Sequence, residues 1–541
     1  MHLKVLLSWA AMIGLASHPV FHFFEPKILA FIVLILSYYT AILTECVDRT
    51  TLDIGHLAIA ALTASLTTGV YLVALASSVV LYRLAPWHPL ASYPGPRLAK
   101  LSKWWMAYWI ARGERHLVLQ RLHKKYGPWV RVGPNELSIS LPEAVRPVYT
   151  TMFRAPFYQG APMDADALIT TTIRAEHTLR LFAWNKAFNS ESQKRFQAVA
   201  QTRTSQLLDV LTKVAAEKKE KAVDLSHWIS LWAMDIMGDI SFSGGFETMA
   251  SGKDSEGWME VLSMGVLAVG VLGQVPWMRD IVAMLPQPGP IITFQQFAKR
   301  KVLETRNLSG GIPRDILGIL QNDSDYQVTE KEAAADASFM VVAGQDTISQ
   351  AMTAFFRYVV ADRTILERLR NELDEAFDAD VQDMDPLRLA KLPFLDACVL
   401  ETLRMVPPVA AGPPRYSGER GVRILDRYIP PRTTLACPIF GMHHDARFFS
   451  NPEEFLPARW LDSPSSGVHN ADAYMPFSYG VGVCIGKPVA LHNMKLLAAS
   501  LVKKFQLRLS ADFDVRKFDA SYKEHNLWLH DPLVVELCPR V

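Results

Sequence analysis

The chain has 541 residues, half of them hydrophobic, and 56 Lys and Arg against 54 Asp and Glu leave a formal net charge of only +2. That length can bury a large core, and a mean hydropathy of +0.10 leaves apolar sequence to spare. A near-neutral chain without a basic run argues against nucleic acid as a partner. Five cysteines scattered at 46, 398, 437, 484 and 538 argue against a disulfide framework and for a reducing compartment.

The apolar surplus lies at the N-terminus. Residues 5–24 are apolar but broken by His18, Pro19 and His22, Ile28 to Leu43 is an uncharged run, and Leu57 to Tyr82 is long enough to cross a bilayer with tilt. None has the layout of a cleaved signal or an organelle transit peptide, so residues 1–84 read as an anchor of two or three transmembrane helices. Glu45, Asp48 and Asp53 precede the third segment against Arg49 alone, whereas Arg83, Arg97, Lys100 and Lys103 follow it. This asymmetry places the bulk of the chain in the cytosol, where the sequons at Asn307 and Asn322 are fortuitous.

Residues 85–96, Ala-Pro-Trp-His-Pro-Leu-Ala-Ser-Tyr-Pro-Gly-Pro, predict a stiff, extended linker. Residues 97–541 then form one body without a second low-complexity break. Helical periodicity covers Leu117–Lys125, Ser190–Glu217, Val223–Ile240, Ala333–Val360, Ile365–Phe377, Phe394–Met405 and Val489–Phe505. Strand-like pieces are short: Val130–Val132, Glu136–Ser140, Val422–Leu425 and Val534–Leu537. The expected class is mainly α with small β-sheets.

Thr329-Glu-Lys-Glu332 is a capping box that opens a long helix. In its middle stands Ala343-Gly344-Gln345-Asp346-Thr347, and a mid-helix glycine costs about 1 kcal/mol relative to alanine. Thr347 can either relay protons or bond back to the carbonyl one turn earlier. Glu401 and Arg404 share a helix face and can pair; Arg459 and Trp460 follow downstream. Asp378, Asp380, Asp383 and Asp385 form an acidic turn without the glycine or terminal glutamate of a calcium loop. His443-His444 has no third metal ligand in reach. No Gly-x-Gly-x-x-Gly stands between strand and helix, so no flavin or nucleotide site is expected.

Cys484 lies in Phe477-Ser-Tyr-Gly480-Val-Gly-Val-Cys484-Ile-Gly486, just before a helical pattern. A thiolate there faces the positive end of that helix and mobile glycine N–H groups. No zinc set is completed around it. One protein thiolate fits an iron whose other ligands come from a macrocycle; the residues alone also allow a buried structural cysteine.

The segment resembles the haem-binding loop of the cytochrome P-450 superfamily, Phe-x-x-Gly-x-Arg-x-Cys-x-Gly. Phe477, Gly480, Cys484 and Gly486 match, and Gly482 stands in the arginine position. Ala343 to Thr347, Glu401-Thr-Leu-Arg404 and Pro457-Ala-Arg459-Trp460 match three further family motifs in the family's order. The linker and Lys125-Tyr-Gly-Pro-Trp-Val-Arg-Val-Gly-Pro-Asn-Glu136 are similar to fungal members, many of which serve secondary metabolism.

The resemblance implies a cytochrome P-450 fold behind N-terminal transmembrane helices, and haem b held through Cys484. It also implies a haem-thiolate monooxygenase that uses O2 to oxidise a hydrophobic small molecule such as a terpenoid. In that reading Ala343 and Gly344 leave room for O2, and Thr347 backed by Asp346 guides protons. Glu401, Arg404 and Arg459 lock the core; Arg415, Arg180 and Trp184, with His177, meet the haem propionates, and His443 lies near the haem. Phe339, Met340, Ala343, Ile348, Val409 and Ala410 line the substrate pocket. Electrons come from NADPH through a separate NADPH-cytochrome P-450 reductase, with cytochrome b5 as a second donor, because the stretch after Cys484 is too short for a reductase domain. Lys487 and Lys495 are candidates to dock it. The implied location is the endoplasmic reticulum membrane, with the catalytic domain cytosolic. Gly482 removes one propionate contact, so haem is expected to be held less tightly unless Arg415 compensates, and Gly482→Arg is expected to tighten it. A haem-thiolate isomerase or dehydratase needing no external electrons, or a non-catalytic haem protein, would fit the same fold.

Overall fold

A computed structural model describes residues 3–23, 27–47, 53–160, 163, 165–217, 222–286, 289–307, 314–378, 384–461 and 467–540. Asp48, Arg49, Asp380 and Asp383 lie outside the described residues. Asp385, at the end of the acidic turn, caps a short helix by accepting the Leu387 N–H.

All three apolar segments are helices: Leu3–Phe23, Ile28–Cys46 and Ile54–Leu84. Each is long and apolar enough to cross a membrane. The first packs along the third, where Gly14 lets the backbones approach: a β-carbon at Gly14 would overlap the Tyr71 carbonyl and crowd Ala74 and the Leu75 backbone. A polar seam accompanies the contact, with His18 Nδ1 2.9 Å from Ser78 Oγ and the Tyr71 hydroxyl donating to Ser17 Oγ over 3.2 Å.

The stretch after the third helix is not an extended spacer. It folds into successive turns, with the N–H groups of His88, Ala91 and Tyr93 donating to the carbonyls of Ala85, His88 and Leu90. Leu90 and Tyr93 bury themselves beside Trp129. Proline fixes φ at a value that turns also use, and burial of these two side chains selects the turns.

The body is helical with small sheets. The capping box at Thr329 forms and starts the Glu330–Ala361 helix, whose last turns, from Ala351 to Val359, are almost wholly buried at the centre of the core. Around it lie the Ser190–Glu217, Leu225–Phe242, Pro393–Met405 and Lys487–Lys504 helices. A three-stranded sheet joins Ala222–Asp224, Val534–Pro539 and Phe505–Leu509. The larger sheet has five strands in the order Trp129–Gly133, Glu136–Ile139, Thr434–Ala436, Arg415–Tyr416 and Phe153–Arg154. All its neighbours are antiparallel except the parallel pair Glu136–Ile139 and Thr434–Ala436. Its last register matters for the site, because Arg154 stands directly opposite Arg415.

Candidate active site

The loop before the Lys487–Lys504 helix is shaped by one unavoidable glycine. Gly480 has φ +67°, and a β-carbon there would overlap the carbonyl of Tyr149. The turn closes when the Cys484 N–H donates to the Phe477 carbonyl over 2.9 Å and the Val483 N–H to the Gly480 carbonyl over 3.0 Å. Cys484 is the one exposed cysteine of the five. Burial pushes the thiol above its ordinary value, against the N–H groups of Gly486 and Lys487 and the Lys487 charge, which pull it down. The helix end points at the sulfur as expected, but the protein by itself does not make the thiolate the favoured form; a bound metal would.

Two buried cationic corners flank this loop. In the first, the Glu401 carboxylate receives Arg404 at 2.8 and 2.9 Å and Arg459 at 3.0 Å. The Trp460 indole donates to it over 2.8 Å and the Leu456 N–H over 2.9 Å. Arg404 also donates to the carbonyls of His443, Pro452 and Glu454. Burial raises the Glu401 carboxyl, but its donors overbalance that and hold it below the ordinary range. His443 is part of this frame: its Nδ1 is 3.0 Å from the Arg404 carbonyl and its Nε2 accepts from the Met475 N–H over 3.3 Å. Burial holds its pKa well below the ordinary value, so it is a neutral strut tying the Glu401 helix to the chain two residues before Phe477.

The second corner has cations and, among the described residues, no matching carboxylate. Arg415 is buried and lies 4.9 Å over the Tyr149 ring. Its hydrogen bonds are long ones, 3.5 Å to the Tyr158 hydroxyl and 3.4 Å to the Pro414 carbonyl. Arg154, opposite it, donates to the carbonyls of Leu168 and Thr171. Burial, with Arg415 and Arg180 nearby, lowers Arg154 to about 10. His177 is buried, and burial together with Arg154 and Arg180 lowers it to about 4; its Nδ1 has no partner among the described residues. Directly opposed like charges destabilise a strand pair, so this corner fits an anion carried by a ligand. The two carboxylates of a haem have that chemistry, as the accessible thiol of Cys484 has the chemistry of its iron ligand.

Two residues expected in this corner have other partners. Arg180 is paired with the buried Asp336 over 2.8 Å and donates to the Asp166 carbonyl. Trp184 is buried one turn along the same face, stacked on Phe188. Both line a small void with Leu320, Tyr326, Val328 and Asp336. Lys495 likewise is held by Asp396 over 2.6 Å, while Lys487 is exposed near Phe477.

On the long helix, Phe339, Val342, Ala343, Asp346 and Thr347 are accessible to differing degrees and fall on one face at helical spacing. Met340 and Ile348 point elsewhere and are buried in the core. Gly344 serves packing rather than open space, because a β-carbon there would overlap Met237 of the Leu225–Phe242 helix. The Thr347 hydroxyl donates to the Ala343 carbonyl over 2.6 Å. Asp346 forms no hydrogen bond to it, as expected for adjacent helical residues. Burial alone raises the Asp346 carboxyl to about 7. Val409 is half-buried, whereas Ala410 is packed near Trp528. Arg154, Tyr149, Tyr158 and Met237 carry no motif; only strand pairing and helix packing bring them here.

Comparison with known proteins agrees with this geometry. The chain is 30% identical to cytochrome P-450 67 of Uromyces fabae, over 86% of this chain and 89% of that protein. It is 30% identical to tryprostatin B 6-hydroxylase of Aspergillus fumigatus, over 87% and 84%. It is 29% identical to the cytochrome P-450 monooxygenase FCK2 of Fusarium pseudograminearum, over 84% and 82%. The cytochrome P-450 family profile matches residues 94–532, and the chain belongs to that family of haem-thiolate monooxygenases.

Proposed function

We propose that the protein is a membrane-anchored monooxygenase of fungal secondary metabolism that inserts oxygen into an apolar small molecule. Residues 1–84 form its anchor in the endoplasmic reticulum membrane, and residues 97–541 form a cytosolic catalytic domain. The observation that carries this reading is the pairing of one accessible thiol with a buried corner that has cations and, among the described residues, no matching carboxylate. Similarity to fungal monooxygenases supports the substrate class.

In this reading Cys484 holds the iron, and Arg415 and His177 receive propionates. Haem, when bound, supplies the activation of O2 that puts one oxygen atom into a C–H bond and the other into water. The chain's own residues position and protect. Phe339, Val342 and Ala343 present an apolar face to the substrate. The Thr347 proton is committed to the Ala343 carbonyl, so its oxygen accepts a hydrogen bond from water or a ligand hydroxyl. Asp346, raised to about 7, holds or releases a proton near neutral pH, which is what a relay acid requires. Electrons come from NADPH through a separate membrane flavoprotein reductase, with cytochrome b5 as an additional donor.

Carbon monoxide added to the reduced protein should give the thiolate-type Soret band, and Cys484→Ser should abolish it. A variant that keeps the band would show that Cys484 is not the ligand. Turnover should require NADPH and reductase; product formed without them would instead identify an isomerase or dehydratase.

A further inference from the structure

The three apolar helices meet the body at one end only. There the ring of Phe21 lies 5.6 Å from that of Phe31, His22 lies 5.2 Å from Tyr82, and Tyr82 lies 5.1 Å from His88 in the turns that follow. The second helix runs from that end to Cys46, a rise of roughly 27 Å and so about the thickness of a bilayer's hydrocarbon core. At the far end the three helices frame a cleft of about 280 Å³. Leu3 and Leu6 of the first helix, with Ile59 and Ala60 of the third, give it apolar walls, and Leu6 and Ala60 are buried. Glu45 of the second helix and His56 of the third supply its ionisable groups. The Glu45 carboxylate has no hydrogen-bond or ion-pair partner among the described residues. The His56 Nδ1–H donates to the Asp53 carboxylate over 2.7 Å, so Nε2 of the neutral ring is a second acceptor. Cys46 and Thr63 complete the lining, and among the described residues no lysine or arginine joins them.

We propose that this cleft holds one phospholipid with a primary ammonium head, a phosphatidylethanolamine, whose ammonium sits between Glu45 and His56 and whose acyl chain follows Leu6 and Ala60. The place of the cleft, at the end of a membrane-length bundle, selects a lipid. Its unpaired carboxylate and imidazole acceptor select a head that is positive and donates hydrogen bonds. An anionic head would face Glu45 without a cation to receive it, and a choline head has no N–H to give. The lipid touches all three helices. It therefore ties the second, which buries no residue of its own, to the packed pair of the first and third. The inference rests on the reading of residues 1–84 as a membrane anchor and is independent of haem.

The test places the full-length protein in nanodiscs of equal parts phosphatidylethanolamine and phosphatidylcholine, releases it into detergent and weighs it by native mass spectrometry. One ethanolamine lipid should remain on the wild type, enriched about tenfold over the choline lipid, the discrimination that one charge-assisted hydrogen bond supplies. Glu45→Gln should bring that enrichment to within about twofold of unity, and Glu45→Asp should keep most of it. A second reading needs no variant: N,N-dimethyl phosphatidylethanolamine, which keeps a single N–H, should be retained between the other two. Equal retention of ethanolamine and choline lipids by the wild type would mean annular lipid only and would overturn the site. So would an enrichment that Glu45→Gln leaves unchanged. If alkaline carbonate strips the protein from membranes, the anchor reading fails and this inference with it. If the protein stays in the membrane and no head is preferred, this inference alone is wrong.

Discussion

The two cationic corners beside the cysteine loop have similar burial and opposite accounting. Around Glu401, two arginines, an indole and a backbone N–H converge on one carboxylate, and Arg404 spends its remaining donors on carbonyls. Among the described residues, only Arg459 Nη1 of these donors lacks a partner. Around Arg415, among the described residues, buried cations face one another with no matching carboxylate, and a buried histidine nitrogen is unpaired. The first corner is complete within the chain and holds the fold. The second, under the proposed function, would be completed by an anion from outside the chain. Similar residue types thus divide into frame and site by what compensates them.

Removing the central partner of the closed corner should give the largest effect. Glu401→Ala strands Arg404 and Arg459, both buried, and is expected to cost about 3–5 kcal/mol. Thermal or denaturant unfolding of the haem-free protein would measure it; a loss below about 1 kcal/mol would show that the corner is not the frame described.

Asp346 extends the comparison to an acid without compensation. Burial raises its carboxyl in the folded state from 3.8 to about 7. The folded chain therefore binds more protons than the unfolded one between those values, and stability falls as pH rises through that window. Asp346→Asn should abolish this fall, leaving the variant roughly 1–3 kcal/mol more stable above neutral pH and equal to the wild type in acid. Parallel stability–pH curves would refute the assignment.

The smallest effect is expected at the open corner. Arg415→Leu removes a buried cation that faces Arg154, so the haem-free protein should keep its stability to within about 0.5 kcal/mol. A loss as large as that of Glu401→Ala would erase the distinction between the corners.

Much of this was legible in the sequence because it is local. Apolar runs of sufficient length, the Thr329 capping box and glycines around a cysteine act through neighbours a few residues away. Helix boundaries agreed to within a few residues, and the Glu401–Arg404 pair follows from helical spacing alone. Short strands were less visible, since two or three residues carry no periodicity and exist by pairing.

The sequence by itself determined the kinds of parts: an apolar anchor, a mainly helical body and a cysteine loop lacking its arginine. Only the tertiary structure decided which side chains meet. It gave Arg180 to Asp336, packed Met340 and Ile348 into the core, set Gly344 against Met237 and placed Arg415 against Gly482. A helix shows its periodicity in one dimension, but the direction its faces take depends on partners far along the chain. That is why the sequence shows that position 482 lacks the loop's arginine, but only the tertiary structure shows that the Arg415 guanidinium lies beside it.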